Sequence, residues 1–204
     1  MSAVLRSITN DLDWRESEIA SMRLFLAGSS LNKAQEKVLL RAAWALLYAH
    51  YEGFCKNALT IFYDHILSLP IVCQDLPHAT RVFALRRILR EMRSIPESNL
   101  LDRIERFGVV HSAKSPEFPE IETDSNLWPR KLKILLIEAD LSTNIVDKHE
   151  LKLKTLVARR NSIAHGEQDV IKEMAYYRSF EDVVYEVMYD LAFQIEERLQ
   201  RAPY

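Results

Sequence analysis

The residues with the clearest capacity for chemistry lie in the segment from Leu156 to Glu167, which contains Arg160 and His165. Histidine exchanges a proton readily near neutral pH, and arginine is a permanent cation whose N–H donors match the oxygens of a phosphate. A proton-transfer group beside a fixed cation suits a reaction at phosphorus, because negative charge builds up there in the transition state. The segment could therefore serve such a reaction.

The spacing of this pair is not informative by itself, because the chain repeats it at Arg106 and His111. Gly108 interrupts the second pair, which lies at the edge of a stretch that we expect to be irregular, so we interpret it as accidental. Arg160 and His165 instead lie at the end of an amphipathic helix. On residue types alone, an ion pair for Arg160 and helix capping by His165 would be the simpler interpretation.

Helix geometry separates the two side chains within one copy of the chain. At about 100° per residue, positions 160 and 165 lie about 140° apart around the helix, whereas positions 161 and 165 share a face. Asn161 could therefore orient the imidazole of His165. A helix carboxyl terminus also favours a protonated histidine. The separation of Arg160 from His165 suggests that one copy alone forms a poor active site.

The overall charge restricts how the chain could bind nucleic acid. A formal net charge of -2 and a pI near 6.3 argue against a protein that coats nucleic acid, so any contact with RNA must be local. One cluster of basic residues, which includes Lys154 and Arg159, leads directly into Arg160, although such runs usually form a solvated helix face. Upstream, Glu52 could brace Arg160 or Lys56, or occupy an ordinary exposed position.

The sequence contains no pattern typical of a metal site, a disulfide or a membrane span. Cys55 and Cys73 lack the spacing of ligands or of a redox motif, and Cys55 is better interpreted as a small buried hydrophobe. The amino terminus lacks the apolar stretch of a signal peptide, and the longest apolar run, 42–49, is too short to cross a bilayer. We expect a soluble, cytoplasmic protein without a metal or other cofactor and without a membrane partner.

The distribution of apolar residues predicts an all-α fold. Glycine occurs only 4 times, and apolar residues recur at helical spacing through long segments, which is typical of an up-and-down helical bundle. We expect one domain over residues 1–204, with a variable, partly irregular insertion over 70–130. The predicted helices cover about 3–27, 33–69, 79–93, 97–107, 130–139, 147–165 and 170–201.

The second predicted helix should be the central one. It begins near Lys33 and ends before Pro70, because a residue that precedes proline is pushed out of the helical region. Gly53 in its middle costs about 1 kcal/mol relative to alanine, which indicates close packing of another helix at that point. Its predicted core-facing residues are Val38, Leu39, Ala42, Leu46, Ala49, Phe54, Ala58, Ile61 and Ile66.

The sequence Arg-Asn-Ser-Ile-Ala-His-Gly at 160–166 resembles the HEPN superfamily, whose signature is an arginine, four to six residues and a histidine. Residues 46–56, Leu-Leu-Tyr-Ala-His-Tyr-Glu-Gly-Phe-Cys-Lys, look like the long helix of the MAE subfamily of HEPN nucleases, which is found beside toxin–antitoxin and defence genes. The resemblance implies a metal-independent ribonuclease that leaves a 2′,3′-cyclic phosphate and a 5′-hydroxyl. Arg160 and His165 would be its catalytic pair, and two copies would pack with both motifs facing one cleft.

The resemblance also implies RNA as the substrate, a homodimer, and a partner such as an antitoxin or another component of a defence system. Candidate RNA contacts are Lys56, Lys154 and Arg159, and Asn161 and Glu52 are the candidate supporting residues. The alternative is a catalytically silent HEPN module that acts as a binding partner or scaffold, which the slight acidity favours. A metal-dependent or DNA-cutting nuclease is disfavoured, because His, Asp and Cys residues do not cluster in the sequence.

Overall fold

The computed structural model describes residues 2–28, 30–168, 171 and 173–204. Within these residues it has eight α-helices and no β-strand, so the predicted all-α fold is confirmed. The helices are α1 (Ala3–Gly28), α2 (Lys33–Ser68), α3 (His78–Ala84), α4 (Arg86–Met92), α5 (Glu97–Phe107), α6 (Pro129–Glu138), α7 (Asn144–Ala164) and α8 (Met174–Leu199). No helix in the described ranges is long and apolar enough to span a membrane.

Helix α2 is the central element, and α1, α7 and α8 all pack against it. A capping box fixes its start: the Asn32 side chain accepts hydrogen bonds from the N–H groups of Ala34 and Gln35, and the Gln35 side chain accepts one from the N–H of Asn32. It ends at Ser68, before Pro70, as predicted. Its buried face is lined by large rings, those of Trp44, Tyr48, Tyr51, Phe54 and Phe62.

The predicted core face of α2 is wrong in its first half and correct farther along. Val38 is 66% exposed, and Ala42 and Ala49 are also exposed, whereas Leu40, Ala43, Trp44 and Leu47 are buried in their place. The predicted positions Phe54, Ala58 and Ile66 are buried. Alanines and a single valine carry little information about which face is buried. The large aromatic rings decide the orientation, because they bury the most apolar area against the surrounding helices.

Close packing at Gly53 is confirmed. A Cβ atom there would lie 2.8 Å from Nη1 of Arg15, a nearly buried residue of α1. The absence of a side chain at Gly53 therefore lets a guanidinium group lie directly against the backbone of α2.

Residues 70–128 contain three short helices and an irregular segment. The predicted helix over 79–93 is instead two helices, α3 and α4, which meet at Leu85, with φ −91° and ψ 4°. Leu85 is buried, and neither glycine nor proline marks the break in the sequence. Helix α5 has the predicted bounds, and a short π-helical turn over Gly108–Ser112 follows it. The segment 113–128 then crosses back to α2, where Ile121 and Leu127 are buried.

The last two helices differ from prediction at their starts. Helix α7 begins at Asn144, so Asp147 lies within the first turn and pairs with Lys133 of α6 at 2.6 Å. The predicted end is confirmed, because Ala164 is the last helical residue and His165 is the C-cap. Helix α8 covers 174–199 within the predicted 170–201; Val170 itself lies outside the described residues.

Candidate active site

The motif segment ends α7 in a defined turn. Gly166 has φ +78°, a conformation that residues with a Cβ rarely adopt. Its N–H donates to the carbonyl of Ile163 at 3.1 Å, and the N–H of Glu167 donates to the carbonyl of Ser162 at 2.9 Å. This pair of bonds is the Schellman motif, which satisfies the last carbonyls of a helix. The turn leaves His165 as the exposed final residue before the chain reverses.

Arg160, five residues earlier, is held by side chains from three parts of the chain. Its Nη1 donates to Oδ1 of Asn126 at 2.8 Å and to Oδ1 of Asn161 at 2.9 Å. Its guanidinium carbon lies 4.3 Å from the centre of the Tyr48 ring, within range of a cation–π interaction. Glu52 Oε2 lies 3.9 Å from Nη2. The Arg160 side chain is therefore fixed although it remains 28% exposed.

Helix α2 is hydrogen-bonded both to α7 and to the segment that carries Asn126, close to Arg160. The indole of Trp44 donates to the carbonyl of Leu156 at 3.0 Å, one turn before Arg160 on α7. The hydroxyl of Tyr48 accepts from the N–H of Leu127 at 2.8 Å. Burial, and then the nearby Glu52 carboxylate, raise the pKa of Tyr48 well above its usual value, so this phenol stays neutral. The Tyr48 ring that packs against the Arg160 guanidinium therefore carries no charge.

Both side-chain hydrogen bonds that hold Arg160 are donated by Nη1. An arginine has five N–H groups, and the two on Nη1 can serve the two amide oxygens of Asn126 and Asn161. The N–H groups of Nε and Nη2 have no hydrogen-bond partner among the described residues. Nε and Nη2 form the side of the guanidinium that binds a carboxylate or a phosphate with two parallel hydrogen bonds. The site therefore presents a fixed cation whose fork makes no hydrogen bond within the described part of the chain, although the Glu52 carboxylate forms an ion pair with Nη2 at 3.9 Å.

His165 is placed quite differently. Its backbone N–H donates to the carbonyl of Asn161 at 2.9 Å, which continues the helical pattern. Its imidazole has no hydrogen bond or ion pair in the part of the chain that the structure describes. The predicted orienting residue Asn161 turns its amide oxygen to Arg160 instead. Helix geometry allowed Asn161 to reach either neighbour, and the strong cationic donor is the partner that it contacts.

Comparison with known proteins establishes the family. The family model described as "HEPN_MAE_28990:/-like HEPN" matches residues 4–204, which is nearly the whole chain. The chain belongs to this HEPN family. Neither curated proteins nor solved structures gave a match.

In this HEPN protein Glu52, which was predicted to brace Arg160 or Lys56, has an ion pair with Arg160. Lys56 instead pairs with Glu120 at 2.9 Å; the Lys56 side chain is 44% exposed and that of Glu120 is 77% exposed. Lys154 is likewise exposed and pairs with Glu150, one turn earlier on α7. Exposed pairs of this kind contribute little to stability, so a phosphate could replace the carboxylate at either lysine.

Arg159, the third candidate RNA contact, lies on another face of α7 from Arg160. Its guanidinium carbon is 5.7 Å from the centre of the Trp44 ring and 5.2 Å from that of Tyr176. The two rings are stacked 5.9 Å apart. Arg159 is only partly exposed and packs on aromatic surface, so it is less accessible to a phosphate than the exposed Lys154.

Among the described residues, no group of three or more His, Cys, Asp or Glu side chains could hold a metal ion. Both cysteines are buried and unpaired, and Cys55 is fully buried as predicted. Burial also raises the pKa of the Cys55 thiol to about 12, which disfavours the thiolate that binds metals.

Sequence reasoning missed two residues of this site. Tyr48 precedes Glu52 by one helical turn, within a segment that was already of interest, and the periodicity of α2 could have placed it on the same face. Asn126 lies 34 residues before Arg160 in an irregular segment. Nothing in the sequence links those two positions, because their meeting depends on the path that the chain takes across α2.

Proposed function

We propose that this HEPN protein is a metal-independent endoribonuclease of the toxin or defence type, with Arg160 and His165 as its catalytic pair. The observation that carries the proposal is the state of Arg160, a guanidinium fixed through Nη1, with Nε and Nη2 free of hydrogen bonds to the described residues, at the end of the helix that also carries His165. The supporting residues are Glu52 and Asn161, which contact Arg160, and Lys56, Lys154 and Arg159 contribute to RNA binding.

The proposed reaction is an internal transfer at phosphorus. The ribose 2′-oxygen forms a bond to the adjacent phosphorus atom, and the bond from phosphorus to the 5′-oxygen of the next nucleotide breaks. A base removes the 2′-hydroxyl proton, and an acid gives a proton to the departing 5′-oxygen. The products are a 2′,3′-cyclic phosphate and a 5′-hydroxyl, so no water is consumed in this step.

The two catalytic residues would divide this work according to their chemistry. His165 would transfer protons, because its imidazole is exposed and histidine is the side chain suited to proton transfer near neutral pH. Arg160 would bind the non-bridging phosphate oxygens through Nε and Nη2, where charge accumulates in the transition state. Its contacts with Asn126 and Asn161 remove the need to reorganise it during the reaction.

The open position of His165 supports a site made by two copies of the chain. Within one copy, the imidazole has no orienting partner among the described residues. A second copy that brings its own motif to the same cleft would supply one and would provide both a base and an acid. Specific cleavage activity should therefore fall on dilution in parallel with dimer dissociation, measured by analytical ultracentrifugation. Constant specific activity through that range would contradict the shared site.

A silent HEPN binding module is the second candidate, and the same unoriented imidazole favours it, together with the net charge of -2. In that case Arg160→Ala and His165→Ala would leave partner binding unchanged, and the wild-type protein would not cleave RNA.

The decisive experiment incubates the purified protein with total RNA in EDTA and identifies the chemical ends of the fragments. His165→Ala is the test variant, and His111→Ala is its matched control, because His111 has the same spacing from an arginine but lies outside the site. Cyclic-phosphate ends from the wild type and from His111→Ala, and none from His165→Ala, would support the proposal. Absence of cleavage by a dimeric wild-type protein would overturn it in favour of the binding module, and cleavage abolished by EDTA would exclude the metal-independent reaction.

A further inference from the structure

Asn126 reaches the site from the irregular segment 113–128, which has no assigned role. Its side-chain oxygen lies 2.8 Å from Nη1 of Arg160, the shortest of the contacts that hold this guanidinium. The neighbouring Leu127 fixes the segment on α2: its N–H donates to the hydroxyl of Tyr48 at 2.8 Å, and its carbonyl accepts from the hydroxyl of Tyr51 at 3.2 Å. Leu127 is fully buried. The position of Asn126 is therefore fixed by its own hydrogen bond with Arg160 and by the attachment of the neighbouring Leu127 to α2.

The turn that carries Asn126 is strained. Asp124 and Ser125 have φ +53° and +66°, and the N–H of Asn126 donates to the carbonyl of Thr123 at 3.0 Å. This is a tight turn with two left-handed residues that are not glycine, a conformation that costs on the order of 1 kcal/mol for each residue. Backbone strain of this kind persists only where the surroundings determine the conformation. Here the turn directs the Asn126 amide at Arg160.

We propose that Asn126 is a positioning residue that fixes which edge of Arg160 faces the RNA phosphate. Together with Asn161 it accepts a hydrogen bond from Nη1, so rotation of the guanidinium would break two hydrogen bonds. Nε and Nη2 thereby stay directed at the phosphate. This inference rests on the proposed ribonuclease function, and it gives the segment 113–128 a role in the reaction.

A purely structural role for Asn126, as an anchor for the segment, makes a different prediction. An anchor would affect folding whether or not Arg160 is present, whereas a positioning residue acts only through Arg160. The two roles are separated by a double-mutant cycle between positions 126 and 160.

The experiment compares Asn126→Ala, Asn126→Asp and the control Asn99→Ala, an exposed amide on α5. Single-turnover cleavage is measured with an RNA that contains one target site, and binding is measured with the same RNA carrying a 2′-deoxy nucleotide there. We expect Asn126→Ala to lower the cleavage rate about 10-fold and to change the affinity less than twofold. Asn126→Asp, which keeps an oxygen acceptor, should recover most of the rate, and Asn99→Ala should match the wild type.

The cycle gives the outcome that would overturn the inference. In an Arg160→Ala background, we expect Asn126→Ala to have no further effect on the residual rate. An equal loss in both backgrounds, or no loss in either, would show that Asn126 does not act through Arg160. Urea unfolding of each variant verifies that the compared proteins are folded under the assay conditions.

A second readout does not depend on activity. In the wild-type protein, NMR of the arginine side chains should show hindered rotation about the Cζ–Nη1 bond of Arg160, and Asn126→Ala should restore free rotation. If the wild type shows this hindrance and cleaves no RNA, the proposed function fails and the positioning contact stands. If the wild type cleaves and Asn126→Ala changes neither rate nor rotation, the inference fails and the proposed function stands.

Discussion

Two arginines lie on opposite flanks of α2 and differ in what their forks bind. Arg15 of α1 directs Nε and Nη2 to the two carboxylate oxygens of Asp11, at 2.9 and 3.2 Å. It stacks on the ring of Trp14, lies against Gly53 and has a side chain only 10% exposed. Arg160 is supported by a ring and by amide oxygens at Nη1, and its corresponding fork makes no hydrogen bond to the described residues, with Glu52 3.9 Å from Nη2. The difference distinguishes an arginine that completes a fold from one that is prepared for an anion.

The largest expected effect is on cleavage at Arg160. Arg160→Lys keeps the charge but removes the fork and the contacts at Nη1, so we expect the cleavage rate to fall about 100-fold. The unfolding free energy should change little, because the side chain is partly solvated. Single-turnover kinetics measure the first and urea unfolding the second. Arg106→Lys is the matched control, and a comparable loss of activity there would remove the special status of Arg160.

Arg15 should show the opposite pattern, with a loss of stability and intact chemistry. Arg15→Met leaves the nearly buried Asp11 carboxylate without its cation, which should lower the unfolding free energy by roughly 3 kcal/mol. Asp11→Leu in the same protein should recover most of that loss, because no unpaired charge then remains. Denaturant unfolding measures both values. A change in the cleavage rate per folded molecule would contradict the assignment of Arg15 to the fold alone.

Gly53→Ala tests the packing of Arg15, because its effect on the unfolding free energy should change sign when the Arg15 side chain is removed. A Cβ atom would lie 2.8 Å from Nη1 of Arg15, which the Asp11 carboxylate and the Trp14 ring hold in place, so we expect a loss of about 1 kcal/mol. In an Arg15→Ala background the obstruction is gone, and the better helix propensity of alanine should make the same substitution stabilising by about 1 kcal/mol. The same sign in both backgrounds, measured by urea unfolding, would show that Gly53 does not serve this contact.

The smallest expected effect concerns pH and His50, which lies on α2 facing Arg15. Burial lowers the pKa of His50, against the opposing attraction of Glu18, whose Oε2 lies 2.9 Å from Nε2; Arg15 adds to the lowering and Asp11 opposes it. The folded protein favours the neutral imidazole. The contribution of His50 to the unfolding free energy is therefore fully present above the unfolded pKa of about 6.5, and it is lost as the pH falls below that value.

His50→Gln should therefore flatten the fall in unfolding free energy between pH 7.5 and pH 5 relative to the wild type. The comparison is between variants, so other titrating groups, including the buried Glu181, cancel. An unchanged slope in His50→Gln would show that the burial of His50 does not control this range.

Prediction from sequence succeeded where a strong local signal ends an element. Pro96 and Gly108 flank α5, whose bounds match, and Gly166 supplies the left-handed residue that ends α7. It failed at Leu85, where burial of an ordinary leucine, and no glycine or proline, accompanies the break between α3 and α4. It also failed for the first half of α2, because small residues gave a weak signal and the aromatic rings determined the orientation.

The sequence by itself determined the helical class, the helix end at His165 and the presence of an arginine and a histidine at a spacing typical of HEPN proteins. Each of these follows from local patterns, which act over a few residues. The tertiary structure alone decided that Arg160 is held through Nη1 and not through Nε and Nη2, that Asn161 faces Arg160, and that Asn126 joins the site. Those facts depend on hydrogen bonds between distant segments, and such bonds form only when the packing of buried side chains has brought the segments together.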